Sequence, residues 1–383
     1  MKLQSKTKKI LFVAAVVASL AIVGTVVGVV VVEVKKNRQS NATSTPSDSN
    51  SSVSGSSTQG NTASATSTSG ASSPVATDFP LDPNLHKSFY GLAYTPKGAI
   101  MPECGANIAD VRKDMEKLSQ LTTRLRLYGS DCNVTSLVLQ AIDDLKVDVQ
   151  VFPGIYLERE ELSYTRQKRI LEDALTVYGT SRVLGVTVGN EYLLISSNAG
   201  DTIDNATTRL VEKMNEVRTD LTALNFNIPV GTSETGGGTS QTLADNADYI
   251  FANIHPWFSS NTVEQAATFA NNQFTNQILP LATASTRTPP PVMYQGEYGW
   301  PSGSDTPGDT NSAGSAASLA NLQLALDDWV CAANRAGTRY WWFEPFDATW
   351  KATTTTLGVE PHWGLFDGEG NLKDITIPDC VAN

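Results

Sequence analysis

The sequence has only three histidines, and its four cysteines stand far apart at positions 104, 132, 331 and 380. No CxxC pair and no cysteine–histidine cluster occurs, so no pattern for a metal site is present. Positive charge is also scarce, with 28 Lys and Arg against 39 Asp and Glu and a formal net charge of −11. A polyanion such as nucleic acid would be repelled by most of this surface, and an uncharged substrate suits it. Phosphate-binding loops are missing as well: "TGGGTS" at 235–240 is Gly-rich but lacks the Lys-Ser/Thr ending a P-loop needs, and reads as a loop. No cofactor is expected.

The basic residues that exist are unevenly placed. Residues 1–38 carry seven (Lys2, Lys6, Lys8, Lys9, Lys35, Lys36 and Arg38) against Glu33 alone, which leaves 21 basic and 38 acidic residues, net −17, for the rest. Between the clusters, Ile10 to Val32 is an uncharged run of 23 residues, longer than the roughly 7–15-residue apolar core of a cleavable signal peptide and long enough to span a bilayer. It is expected to be a signal anchor over 10–32, with residues 1–9 cytoplasmic and everything beyond outside the plasma membrane, a single-pass type II arrangement. The alternative is cleavage here and secretion to the wall. From Asn37 to Thr77 nearly every residue is Ser, Thr, Asn, Gly, Ala or Pro, too little apolar surface to offset the entropy of ordering, so 33–85 reads as a disordered stalk. Asn41, Asn50, Asn133 and Asn205 lie in N-x-S/T sequons, which agree with export.

Residues 86–383 read as one domain. Eight β-rich segments, at 88–94, 122–129, 147–156, 183–191, 227–234, 248–257, 291–300 and 338–347, are followed or separated by amphipathic stretches. Those at 107–120, 134–146, 162–178, 203–224, 263–279 and 315–335 are long enough for crossover helices. Eight such units predict a closed (β/α)8 TIM barrel. Outside the cell the cysteines are expected to form two disulfides. Of the three pairings, Cys104 with Cys132 and Cys331 with Cys380 is preferred, because each ties neighbouring ends of the barrel.

Reacting groups of such a barrel sit at the C-terminal ends of its strands. Asn190-Glu191 closes the fourth segment, Glu234 follows the fifth, His255 ends the sixth, Glu297 the seventh and Glu344 the eighth. Tyr94, Tyr128, Trp257, Tyr298, Trp300 and Trp350 fall nearby. Aromatic faces stack on sugar rings, and paired carboxylates cleave glycosidic bonds.

"VTVGNEYL" at 186–193 and "YQGEYGWPSG" at 294–303 resemble the two signature regions of glycoside hydrolase family 17. "FYGLAYTP" at 89–96, "LRLYGSDC" at 125–132, "IHPWF" at 254–258 and "WFEPFDATWK" at 342–351 resemble its fungal, cell-wall branch of β-1,3-glucanases and glucanosyltransferases. The resemblance runs over about residues 86–380. It implies Glu191 as acid/base and Glu297 as nucleophile, and a charged pair formed by Glu344 and Lys351. The residues agree with this, since a retaining mechanism needs two carboxyls about 5–5.5 Å apart, one neutral and one ionised. Asn190 is expected on the sugar 2-hydroxyl and His255 beside the nucleophile. Tyr94, Tyr128 and Tyr298 are expected as hydrogen-bond donors, and Trp257, Trp300 and Trp350 as stacking platforms. The expected protein is a monomeric, membrane-tethered enzyme that cleaves internal β-1,3-glucan linkages, with water or a second glucan chain completing the reaction. The rival expectation is a non-catalytic wall-glucan sensor.

Overall fold

The computed structural model describes residues 79–382 apart from 159, 307 and 354–356. The expected membrane segment, most of the stalk and the sequons at Asn41 and Asn50 lie outside the described residues. Among the described residues no helix is long and apolar enough to cross a membrane. Phe79 and Leu85 are buried in the main core, so the folded body begins earlier than residue 86.

One parallel sheet contains nine segments: β1 (Gly91–Ala93), β2 (Arg124–Arg126), β3 (Gln150–Phe152), β4 (Gly154–Ile155), β5 (Val186–Asn190), β6 (Val230–Thr235), β7 (Tyr249–Asn253), β8 (Val292–Tyr298) and β9 (Tyr340–Trp342). The first strand pairs with both β2 and the last strand, β9. β3 pairs with β2 and β4 with β5, and only Pro153 separates β3 from β4. Proline has no N–H to give a ladder, so it splits one stave into two. The result is a parallel TIM-type barrel, with the eight expected strands as its staves.

The expected helices appear as α1 (Ile108–Leu121), α2 (Val134–Leu145), α3 (Glu161–Tyr178), α5 (Ile203–Ala223), α7 (Val263–Gln273) and α9 (Leu319–Ala336). Their starts carry the side chains a helix needs for its unpaired N–H groups. Asn107 accepts from Asp110, Thr202 from Asn205 and Ser318 from Asn321, and Thr262 with Gln265 forms a capping box. The stretch expected as one helix over 263–279 is continuously helical, widening from α7 into a single π-helical turn over Phe274–Ile278 and running on as α8 (Leu279–Ala284). Two short helices were not foreseen, α4 (Tyr192–Asn198) and α6 (Gln241–Ala244). Neither is long enough to show a helical period.

Inside the barrel, Phe152, Tyr249, Phe251, Tyr294 and Trp341 interlock, with ring centroids 4.8 to 6.0 Å apart. This aromatic layer is packed against itself and leaves the polar side chains to the level above.

Both preferred disulfides form, Cys104–Cys132 and Cys331–Cys380. The second fastens α9 to the C-terminal tail. That tail returns to the start of β1, where the Ser88 hydroxyl donates to the Pro378 carbonyl and Asn334 Nδ2 donates to the Ser88 carbonyl at 2.7 Å. Closing a loop of 49 residues constrains the unfolded chain, so Cys380→Ser is expected to lower stability by about 2–4 kcal/mol. Urea unfolding followed by near-UV circular dichroism measures it, and an unchanged midpoint would contradict the expectation.

Candidate active site

Strand alternation sends consecutive side chains to opposite sides of a sheet, and the two strands that carry the glutamates both interrupt it. In β8, Ala252 pairs with Gln295 but Asn253 pairs with Glu297, so Gly296 is an extra residue. In β5, Thr187 pairs with Gly231 but Asn190 with Ser233, an extra residue next to Gly189, whose φ is +81°. Each bulge turns the following side chain inward. A Cβ on Gly296 would lie 2.5 Å from Asn253 Oδ1, so only glycine fits there.

These turns bring Asn190, Ser233, Asn253 and Glu297 around the buried guanidinium of Arg126 from β2. Arg126 Nη1 donates to Asn253 Oδ1 (3.0 Å) and the Gly296 carbonyl (2.8 Å) and lies 3.2 Å from Glu297 Oε1. Its Nη2 donates to Asn190 Oδ1 (2.6 Å) and Ser233 Oγ (2.7 Å). A buried cation this well bonded can persist without water.

Glu297 is only 5% exposed. The Tyr128 hydroxyl donates to its Oε1 at 2.7 Å, and His255 Nε2 lies 2.6 Å from its Oε2. Burial would push the carboxyl up. The His255 hydrogen bond, the Arg126 and His255 charges and the Tyr128 hydroxyl outweigh it and hold Glu297 below the ordinary glutamate range. Glu191, directly after β5, receives Asn253 Nδ2 on its Oε1 at 3.0 Å. Burial, and next the charge of Glu297, raise its carboxyl against the opposing Asn253 bond. The carboxyls of two glutamates linked through Asn253 and Arg126 are thus shifted in opposite directions, which is the division an acid and a nucleophile need.

The domain model described as the BtgE/BtgC glycoside hydrolase domain matches residues 91–364, from β1 past β9. The chain belongs to this family. It is 37% identical over 313 residues to the probable glucan endo-1,3-beta-glucosidase btgC of Aspergillus terreus, covering 78% of this chain and 47% of that protein. It is 36% identical to the glucan endo-1,3-beta-glucosidase btgC of Emericella nidulans, covering 77% and 47%. The chain therefore spans about half the length of the curated relatives it matches. Among solved structures, an active-site mutant of Rhizomucor miehei beta-1,3-glucanosyltransferase in complex with laminaritriose superposes with a TM-score of 0.63 at 23% identity, covering 76% of this chain and 98% of that one. An endo-laminarinase from Formosa superposes at 0.62 and 17%, covering 74% and 84%. At these identities the likeness is one of fold.

Within this BtgE/BtgC barrel, Glu191, Glu297, Asn190, Tyr128 and His255 are linked in one cluster through Arg126 and Asn253. Asn190 uses its carbonyl oxygen on Arg126, Ser233 and Asn253, none of which engages its amide hydrogens. Glu344 and Lys351 also pair, at 3.2 Å, and Lys351 lies 3.7 Å from Glu360. Burial outweighs the lysine and pushes Glu344 up to about 7.

Four aromatic residues expected in the cleft lie in packed layers instead. Tyr298 follows Glu297 directly and so faces outward, stacked on Trp329 of α9 at 4.4 Å. Tyr94 likewise faces outward, its hydroxyl donating to Asp114 of α1 at 2.6 Å. Trp300 is fully buried with its Nε1 donating to the Ala316 carbonyl, and Trp257 packs edge-on against it. Half-exposed aromatics remain at Tyr128, Tyr156, Phe258 and Trp350. Arg126, Ser233, Asn253 and Tyr156 were not foreseen. Tyr156 stands near enough to Glu191 for that carboxylate, after burial itself, to raise its hydroxyl. The sequons at Asn133 and Asn205 are exposed on the surface, and among the described residues no cluster of His, Cys, Asp and Glu could hold a metal ion.

Proposed function

We propose that the chain is a retaining glycoside hydrolase that cleaves internal β-1,3-glucan linkages in cell-wall remodelling, with Glu297 as nucleophile and Glu191 as acid/base. The observation that carries this reading is the opposed tuning of the two carboxyls, Glu297 held down by His255, Arg126 and Tyr128 and Glu191 raised by burial and by Glu297. Glu191 protonates the leaving oxygen while Glu297 attacks the anomeric carbon, and the deprotonated Glu191 then activates the incoming hydroxyl. Asn190 would donate its free amide hydrogens to the sugar 2-hydroxyl next to the nucleophile. The names of the btgC relatives support β-1,3-glucan as the polymer.

A second glucan chain in place of water would give transglycosylation from the same intermediate. Incubating the purified chain with a defined β-1,3-oligosaccharide and weighing the products by mass spectrometry separates the outcomes. Shorter products alone mean hydrolysis, products longer than the substrate mean transfer, and unchanged substrate would leave only a binding protein.

The same reading places the enzyme outside the plasma membrane, tethered by Ile10–Val32 through the Ser/Thr-rich stalk, because its polymer lies there. Support comes from the length of the uncharged run and the two disulfides of the body. Protease treatment of intact spheroplasts should release an active fragment that begins in the stalk; an untreated protein already soluble would remove the tether.

A further inference from the structure

Behind Glu191 lies another buried carboxyl for which the chemistry above has no use. Glu234, next to last in β6, has no exposed surface. Its neighbour Ser233 faces Arg126 and Asn190, so alternation turns Glu234 the other way, beneath the start of α4. There both carboxyl oxygens face the backbone N–H of Leu193, at 3.2 and 3.4 Å. Two residues earlier, the Glu191 N–H donates to the Ser233 carbonyl at 2.9 Å. The segment Glu191–Leu193 is thus pinned to β6 at both ends.

Between the two pins Glu191 has φ 53° and ψ 34°. A residue with a Cβ adopts this left-handed conformation at a cost, and keeps it where the surroundings over-determine it. We propose that Glu234 is the positioning residue of the acid/base, its carboxyl holding the Leu193 backbone so that Glu191 stays in the conformation that aims it into the cleft. This rests on Glu191 being the acid/base. Burial raises the Glu234 carboxyl well above the usual range, against the Leu193 N–H and with the Glu191 charge adding to the rise. A carboxyl that serves as an acceptor for a backbone N–H can be replaced by an amide, which keeps a carbonyl oxygen there, whereas a thioether of similar length offers that N–H only a poor partner.

The test compares Glu234→Met, Glu234→Gln and Glu191→Ala on aryl β-glycosides of a laminari-oligosaccharide with strongly and weakly basic leaving groups. A misaimed acid costs most where the leaving oxygen most needs a proton. Glu234→Met is expected to lose roughly 10²-fold in kcat/KM on the basic leaving group, only a few-fold on the acidic one, with oligosaccharide binding unchanged. Glu234→Gln should restore most of the rate on both. Full activity of the Met variant, equal losses on the two substrates, or a Gln variant as poor as Met would each overturn the proposal. Glu191→Ala separates the two ideas: without leaving-group dependence there, the acid/base reading itself falls, and with it there but not in Glu234→Met, only the role of Glu234 falls. If the Met variant does not fold, Glu234→Asp, which keeps the carboxyl one methylene short, carries the same comparison and is expected to show a smaller loss of the same selectivity.

Discussion

Glu297→Gln is expected to lower glucan turnover by roughly 10⁴- to 10⁶-fold, the range of a removed nucleophile, while leaving oligosaccharide binding within a few-fold. The amide has almost the shape of the carboxylate but no charge with which to attack the anomeric carbon. Its surroundings are built for an acceptor at every side: Tyr128 and Arg126 reach one oxygen and His255 the other. The amide oxygen can keep Tyr128 and Arg126, and the amide hydrogens then meet the His255 side, where the imidazole can present its acceptor nitrogen. The pocket therefore keeps its form at modest cost, and the loss falls on kcat and not on affinity. Reducing-end release from laminarin together with calorimetric binding of a laminari-oligosaccharide tests both halves. Near-normal turnover would remove Glu297 from the nucleophile's place. Loss of binding along with turnover would mean that the carboxylate mainly holds the cleft together.

The barrel was legible because its units repeat: the β-rich segments are short and apolar, six of the eight are followed by an amphipathic stretch, and the order of eight survives even though Pro153 splits one stave. Glu191 and Glu297 were legible because each is a carboxylate at the end of a β-rich segment within a motif that resembles a family signature, and each motif carries a glycine just ahead of the carboxylate. What that glycine does was not legible. Both bulges are properties of pairing between distant strands, and without them a period-two count points the wrong residues into the cleft. Tyr298 could have been excluded, since two consecutive strand residues cannot both face the same side. Arg126 had no signal of its own. In "LRLYG" an arginine reads as a solvent-facing residue, and only the convergence of Asn190, Ser233, Asn253 and Gly296 from four other strands makes its burial tolerable. The same holds for Asn253, whose two ends touch the Arg126 guanidinium and Glu191.

Glu191→Ala should lose about 10²- to 10⁴-fold on unactivated glucan, the usual worth of a positioned proton donor, and the manner of the loss should identify the residue. A substrate with a good leaving group needs little protonation, so the variant should still form the glycosyl-enzyme intermediate from it. Added azide needs no general base and should restore turnover. The pH profile gives an independent check. Glu191 acts in its protonated form and its carboxyl is raised by burial and by Glu297, so wild-type activity should fall as pH rises through that elevated value. Glu297 acts in its ionised form and is lowered by His255, Arg126 and Tyr128 despite burial, so activity should fall on the acid side only below the ordinary glutamate range. Removing Glu191 should erase the alkaline limb of the azide-rescued reaction and leave the acid limb in place. The titratable groups coupled electrostatically to Glu191 include Glu297, His255, Arg126, Tyr156 and Glu234, and a further carboxyl, Glu344, is pushed up to about 7 by burial. An alkaline limb that survives near pH 7 in Glu191→Ala, and disappears when Glu344 is also changed to Gln, would move the acid's role from Glu191 to the Glu344–Lys351 pair.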